Sequence, residues 1–250
     1  MLLLLLACRP AVDAPETVEE QAVFGFVHFD EPGFVEAVAE PLLTFAASDD
    51  PDLEDGFLVD QLDADDLRAV GVDDPDITGV VGALGRSSFT LDVDGVAEAV
   101  TADDREAWWE GVEDYTIVEA LGDRDCFLAH ACGAWSAVLR ESTRVPVLGL
   151  ATRTFTFDAR WLVSEDGVTR LATRQRSPDP VEMSTTLLRV DQQYGFSVVG
   201  PSDAGAIRAE AVWVDAVALG SELPEGYAVR QAVRRMQDAA DAMDAAFAAP

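Results

Sequence analysis

The chain has 250 residues, a hydrophobic content of 49% and a formal net charge of −30. That apolar content supplies a sizeable core and excludes a disordered chain, and the length suits one large domain or two small ones. All 17 basic residues are arginines. So large an acidic excess excludes nucleic acid as a partner, because nothing neutralises the phosphates. It also repels anionic lipid head groups, so attachment to a membrane requires acyl chains.

The N-terminus is an apolar run, residues 1–7, followed by Cys8. The run is too short to span a membrane, which takes about 20 apolar residues. Ending in Leu-Ala-Cys, it resembles a bacterial lipoprotein signal peptide, in which the cysteine is diacylated on sulfur and the chain is cut before it. The resemblance implies a lipid on Cys8 and a cell-envelope location, the outer membrane where two membranes exist, since Arg9 rather than Asp follows. Residues 8–20 are Pro- and Ala-rich, which predicts a flexible tether.

A single domain is predicted from residue 21 to residue 250. It opens with residues 22–29, whose aromatic and β-branched side chains predict a strand. An acidic, mainly helical part follows at about 30–110. Its predicted helices are at 34–45 with a kink at Pro41, at 64–70 behind an Asp63 cap, and at 77–84.

The end of the acidic part predicts a hairpin and a short helix. Residues 87–93 and 96–100 flank an Asp94-Gly95 turn, which is typical of a hairpin. Thr101 resembles the start of a capping box, which predicts a helix through Trp108 and Trp109. Core packing is the favoured role of this tryptophan pair, with a ligand pocket as the alternative.

The part at about 115–215 is predicted to be rich in β-strands. Glu165-Asp166-Gly167 marks a hairpin turn between two of them. The predicted strands are 116–121, 134–141, 151–162, 168–175, 185–190, 194–199 and 206–214.

The longest predicted helix covers about 225–248. Its apolar residues recur at intervals of three and four, which forms one continuous stripe expected to lie on the sheet. The stripe consists of Val229, Val233, Met236, Ala240, Met243 and Phe247. The other faces carry Arg230, Arg234, Arg235, Asp238, Asp241 and Asp244.

Cys126 and Cys132 remain once Cys8 is assigned to lipid. In an exported protein a disulfide is the leading interpretation. The alternatives are free buried thiols and a metal site that adds His130, although His28 is the only other histidine. A Cys132–His130 nucleophilic pair is a weaker alternative, because no third residue orients the histidine.

The remaining motifs predict structure. The Asp-rich loops lack EF-hand spacing. Gly79, Gly82 and Gly85 lack a phosphate-binding pattern and are interpreted as close-packing glycines, and His28 as a core histidine. We predict no catalytic residue, no resident metal and no cofactor.

These elements predict an α+β fold in which an antiparallel sheet packs on the C-terminal helix. Their order over roughly residues 87–250 resembles the helix-grip arrangement of START-like (Bet v 1-like) domains, with 151–175 as a hairpin and 225–248 as the helix. In that family a curved sheet wraps the last helix and encloses a cavity for hydrophobic ligands. The resemblance implies an envelope lipoprotein that binds a hydrophobic small molecule. The alternative is a structural or interaction lipoprotein with a filled core.

Overall fold

The structure, a computed structural model, describes residues 12–48, 56–145, 149–164, 166–218, 221–222 and 224–247. Cys8 and the predicted signal peptide lie outside these residues. Within them the chain forms α1 Val18–Val27, α2 Pro32–Ala46, α3 Ala64–Ala69, α4 Val93–Val100, α5 Arg124–Leu128 and α6 Glu225–Phe247. The strands are β1 Phe57–Leu58, β2 Val80–Phe89, β3 Val112–Ala120, β4 Ala134–Val145, β5 Gly149–Val163, β6 Thr169–Ser177, β7 Glu182–Met183, β8 Leu188–Ser202, β9 Gly205–Ala218 and β10 Ser221–Glu222.

The strands form one antiparallel sheet in the order β1-β2-β9-β8-β6-β5-β4-β3, with β10 beside β9 and β7 beside β5. Helices α1, α2 and α3 cover one face, the outer face, where Tyr194, Phe196 and Val198 of β8 join their core. Helix α6 crosses the other face, the inner face, and packs mainly on β2. The predicted α+β fold, a sheet packed on a long C-terminal helix, is confirmed.

The strand predicted at 22–29 is wrong, because this segment is helix α1. Thr17 caps the helix by accepting a hydrogen bond from the Glu20 N–H at 3.3 Å. Phe26 is fully buried against the outer face. Gly25 permits this approach, since a Cβ there would lie 2.3 Å from the Phe196 ring. The aromatic content of the segment therefore reflects burial against the sheet. The helix also begins inside the predicted tether.

Two further predictions near residue 90 are wrong. Residues 80–89 form the single strand β2 in place of a helix end and the first arm of a hairpin. Residues 93–100 form helix α4 in place of the second arm. Asp92 caps α4 by accepting from the Gly95 N–H at 2.8 Å, so Asp94-Gly95 lies in a helical first turn.

The glycines of β2 explain why the residue propensities of this segment did not predict a single strand. A Cβ on Gly82 would lie 2.8 Å from Trp213 on the outer face, and one on Gly85 would lie 2.9 Å from Val233 of α6. The strand is therefore packed on both faces and shows no alternation in the sequence. Both residues are close-packing glycines, as predicted.

The other predicted elements need smaller corrections. Thr101 ends α4, donating its hydroxyl to the Ala97 carbonyl, and only a 3-10 turn, Arg105–Ala107, precedes the tryptophan pair. The strands predicted at 185–190 and 194–199 are one strand, β8, with a bulge between Val190 and Gln192. The Asp63 cap of α3 is confirmed as a full capping box with Asp66.

The predicted apolar stripe of α6 is confirmed. Val229, Val233, Met236, Ala240 and Met243 are buried, and Phe247 contacts Trp108 with ring centroids 5.5 Å apart.

Asp244, which was predicted to lie on a polar face of α6, anchors the end of that helix. Its carboxylate accepts from the Thr90 N–H at 2.7 Å and from the Leu91 N–H at 3.2 Å.

We expect Asp244→Ala to lower the free energy of unfolding by about 1–2 kcal/mol, because two backbone N–H groups lose a charged acceptor. Asp241→Ala removes an exposed carboxylate from the same helix and should change it by less than about 0.5 kcal/mol. Urea unfolding compares the two variants. Equal midpoints would show that the contact does not hold the helix.

Candidate ligand cavity

A cavity of about 550 Å³ lies between the inner face of the sheet and helix α6. This volume falls within the range of about 300–1,000 Å³ that is usual for small-molecule sites. We call it the sheet–helix cavity.

Most of the cavity wall is apolar. Helix α6 contributes small residues and two methionines, α4 contributes two valines, and β2 and β9 contribute small and β-branched side chains. These residues are Ala228, Ala232, Met236, Ala239, Met243, Val96, Val100, Val81, Ala83, Val212, Val214 and Ala216. Small side chains facing the sheet leave the space open, which the alanines of the α6 sequence permit.

Gly195 lies on the floor of the cavity, in the middle of β8. A Cβ at this position would meet only ordinary contacts, the nearest at 3.7 Å. Its backbone is also outside the left-handed region. A larger side chain at Gly195 would therefore extend into the cavity without backbone strain.

A buried charged group forms one polar part of the floor and is called the acid cluster after its central carboxylate, that of Glu141. It consists of Arg105, Glu141, Arg153 and Gln193. Glu141 is 3% exposed and pairs with Arg153 at 3.0 Å and with Arg105 at 3.3 Å. Arg153 also donates to the Gln193 side-chain carbonyl at 2.8 Å. Two guanidinium groups thus face one carboxylate.

The pKa of Glu141 depends on two opposing effects, its burial and the charges of its two arginine partners. Burial opposes ionisation, but the guanidinium groups of Arg153 and Arg105 outweigh it and hold the pKa of the carboxyl below its ordinary value of 4.5. Glu141 is therefore ionised at neutral pH, and the three charged groups together carry one positive charge.

A second polar group lies farther along the floor. It is called the hydroxyl cluster and consists of Thr173, Ser197, Arg208 and Glu210. Ser197 and Thr173 are register partners on β8 and β6, and their hydroxyls are 2.7 Å apart. Ser197 is also paired in register with Glu210, whose carboxylate lies 2.8 Å from the guanidinium of Arg208. Because Arg208 and Glu210 neutralise each other, this cluster has no net charge.

Gln175 lies between the two clusters, on β6 opposite Gly195. Its side-chain amide nitrogen is buried and has no hydrogen-bond partner among the described residues. A buried unpaired amide is unfavourable, so this donor is suited to a ligand.

Cys126 and Cys132 are joined by a disulfide with 5.3 Å between their Cα atoms. Neither sulfur is then free to ligate a metal or act as a nucleophile, and the described residues contain no group of three potential metal ligands. His130 instead contacts Asp94 at 2.9 Å and stacks on Trp161. The disulfide loop is thereby tied to α4, which lines the cavity.

His28 is not a core histidine. Its ring is one-third exposed and pairs with Glu31 at 3.0 Å at the end of α1. Trp109, in contrast, lines the sheet–helix cavity. The role of Trp109 in a pocket was the less favoured of the two predicted, and no spacing in the sequence distinguishes the two tryptophans.

In the described part of the chain, every helix is too short or too polar to cross a membrane.

No protein-family model matches the chain, and no curated protein sequence matches it. Solved structures do. A STAR-related lipid transfer protein from Xanthomonas axonopodis shares 13% identity with a TM-score of 0.42, over 78% of this chain and 99% of its own. Human StAR-related lipid transfer protein 5 shares 14% identity with a TM-score of 0.41, over 88% of this chain and 98% of its own.

Ara h 8.0201 shares 13% identity with a TM-score of 0.40, over 68% of this chain and 99% of its own.

Proposed function

We propose that the domain binds a small molecule with a large apolar part in the sheet–helix cavity. The observation that carries the proposal is the cavity itself, about 550 Å³ with a mainly apolar wall. Protein interiors are normally packed as densely as organic crystals. A space of this size between sheet and helix is therefore suited to an occupant.

The alternative of a filled core accounts less well for the same residues. A structural domain gains stability by closing the space between α6 and the sheet, since cavities lower stability. Here α6 presents Ala228, Ala232 and Ala239 to the cavity, and the floor has Gly195 at its centre. These small side chains keep the space open.

Gly195→Leu tests the proposal by filling the cavity from its floor. The new side chain meets no atom closer than 3.7 Å at its Cβ, so the domain should fold. We expect its affinity for octadecanoic acid to fall at least about tenfold, because a filled cavity excludes the chain. Titration calorimetry on the full chain measures this affinity.

The matched control is Gly133→Leu, the same substitution at an exposed glycine with nothing within 4 Å of its Cβ. This variant should bind as the unmodified chain does. Unchanged binding by Gly195→Leu, with its fold confirmed by circular dichroism, would place the ligand elsewhere and contradict the proposal.

We further propose that Cys8 carries lipid and anchors the domain to the cell envelope. The support is Leu5-Leu6-Ala7-Cys8. The Cys126–Cys132 disulfide supports an oxidising compartment outside the cytosol.

In a bacterial host, palmitate label should be incorporated into the chain and be lost in Cys8→Ser. A Cys126→Ser, Cys132→Ser double variant is the control and should keep the label. Label that survives Cys8→Ser would refute acylation at this position.

A further inference from the structure

We infer that the ligand carries two polar groups on an apolar frame: an anionic head group bound at the acid cluster and a neutral hydroxyl bound at Gln175 and the hydroxyl cluster. This inference rests on the proposed function and specifies the class of ligand. It follows from how the polar residues are spaced along the floor.

The spacing comes from the register of the sheet. Gln193, Gly195 and Ser197 alternate along β8 and line the same cavity. A strand rises about 3.3 Å per residue, so along β8 the distance from Gln193 is about 7 Å to Gly195 and about 13 Å to Ser197. Gln175 is the partner of Gly195 on β6. The second polar group of the ligand is thus placed about 7–13 Å from the first.

The net charge of each polar cluster indicates which polar group of the ligand binds there. The acid cluster has two guanidinium groups against one carboxylate, and the Arg105 Nε–H is buried without a partner among the described residues. An anionic group on the ligand would neutralise the remaining positive charge, which is costly to bury alone.

The second site is neutral. Arg208 and Glu210 pair with each other, and the Thr173 and Ser197 hydroxyls can each donate or accept. Gln175 adds an amide donor without a partner. A hydroxyl satisfies this set because it accepts from the amide and donates to a neighbouring oxygen.

The opposite wall is mainly apolar, which favours both polar groups on one side of the ligand. Helix α6 presents Ala232, Met236 and Ala239 there, and its polar lining residues are the half-buried Gln231 and the exposed Glu225 and Arg235. A molecule with a single polar head would leave the Gln175 amide desolvated against an apolar chain, at a cost typical of an unsatisfied donor.

Octadecanoic acid and its mid-chain hydroxylated analogue test the inference, because they differ only in the second polar group. We expect the hydroxy acid to bind the full chain about tenfold more tightly, the effect of one buried hydrogen bond and one rescued donor. The methyl ester of the hydroxy acid lacks the charge and should bind about tenfold more weakly than the acid.

Gln175→Leu locates the second site. In this variant the preference for the hydroxy acid should fall to about one, and octadecanoic acid should bind at least as tightly as it does to the unmodified chain, because no amide donor is left unsatisfied. Gln237→Leu is the control, since Gln237 lies on the same helix α6 but is not part of the cavity lining, and it should keep the preference.

The outcomes separate the two proposals. Equal binding of the two acids by the unmodified chain overturns the inference and leaves the proposed function standing. A preference that survives Gln175→Leu overturns the assigned site, and an ester that binds as well as the acid overturns the anionic assignment. Failure of both acids to bind overturns the inference and the proposed function together.

Discussion

Replacing Glu141 with alanine is expected to lower the free energy of unfolding by about 3–5 kcal/mol, the usual effect of breaking a buried ion pair. The carboxylate is 3% exposed and is the common partner of Arg105 and Arg153. Without it, two guanidinium groups remain in the floor of the cavity without their counter-ion. Chemical unfolding followed by circular dichroism measures the loss.

Glu113→Ala is the matched control, since Glu113 also pairs with an arginine, Arg144, but at the surface. Exposed pairs contribute only about 0–1 kcal/mol, so the control should lose at most this amount. Similar losses from both substitutions would show that the acid cluster is solvated and would remove the basis for an anion site.

The pH dependence has a defined sign. Because the pKa of Glu141 is lowered in the folded state, its contribution to stability is complete above the ordinary value of 4.5. That contribution is lost as the pH falls below 4.5 through the folded pKa. Unfolding measured across this window should therefore show a steeper loss of stability in the unmodified chain than in Glu141→Ala.

The second large effect is expected for Trp213→Ala, which should lower the free energy of unfolding by about 3–5 kcal/mol. Trp213 is fully buried on the outer face. Its ring lies 5.5 Å from that of Phe26 of α1, and its indole N–H donates to the Asp60 carbonyl at 2.8 Å. Truncation removes this packing and leaves a void beneath the helical layer.

Tyr227→Ala is the control, because this aromatic side chain is 47% exposed. Its substitution should change the free energy of unfolding by less than about 0.5 kcal/mol. Equal urea midpoints for the two variants would contradict the packing of α1 against the sheet.

The sequence predicts the parts of the fold in which local pattern and tertiary packing agree. The stripe of α6 has one buried face and a regular period, and the Asp63 cap precedes a helix whose start it fixes. Strands β4 to β6 are joined by short connections and have β-branched and aromatic residues on them. In each case the local signal needs no information about a distant partner.

The failures occur where a segment is buried on several sides. The sequence of helix α1 predicts a strand because it is rich in aromatic residues, which pack in the core of the outer face. The sequence of β2 predicts a helix and a hairpin because it contains glycines, against which Trp213 and Val233 pack. Both contacts join residues far apart in the chain, so no local period reports them.

The cavity was implied only by resemblance, and its polar residues were not predicted. Glu141, Arg153, Gln175 and Ser197 lie on different strands and come together through register. The contact of Asp244 was not predicted for the same reason, since its partners are the distant backbone N–H groups of Thr90 and Leu91. Among 47 acidic residues, the sequence contains no mark that separates these few carboxylates from those at the surface.

The most direct test of the central claim is a native mass spectrum of the full chain carrying Cys8→Ser, purified without detergent. Without the proposed acyl group, any added mass belongs to a molecule held non-covalently. We predict a species heavier than the chain by one small molecule, lost after extraction with organic solvent and restored by one equivalent of octadecanoic acid. A bare mass that added octadecanoic acid leaves unchanged would contradict a ligand in the sheet–helix cavity.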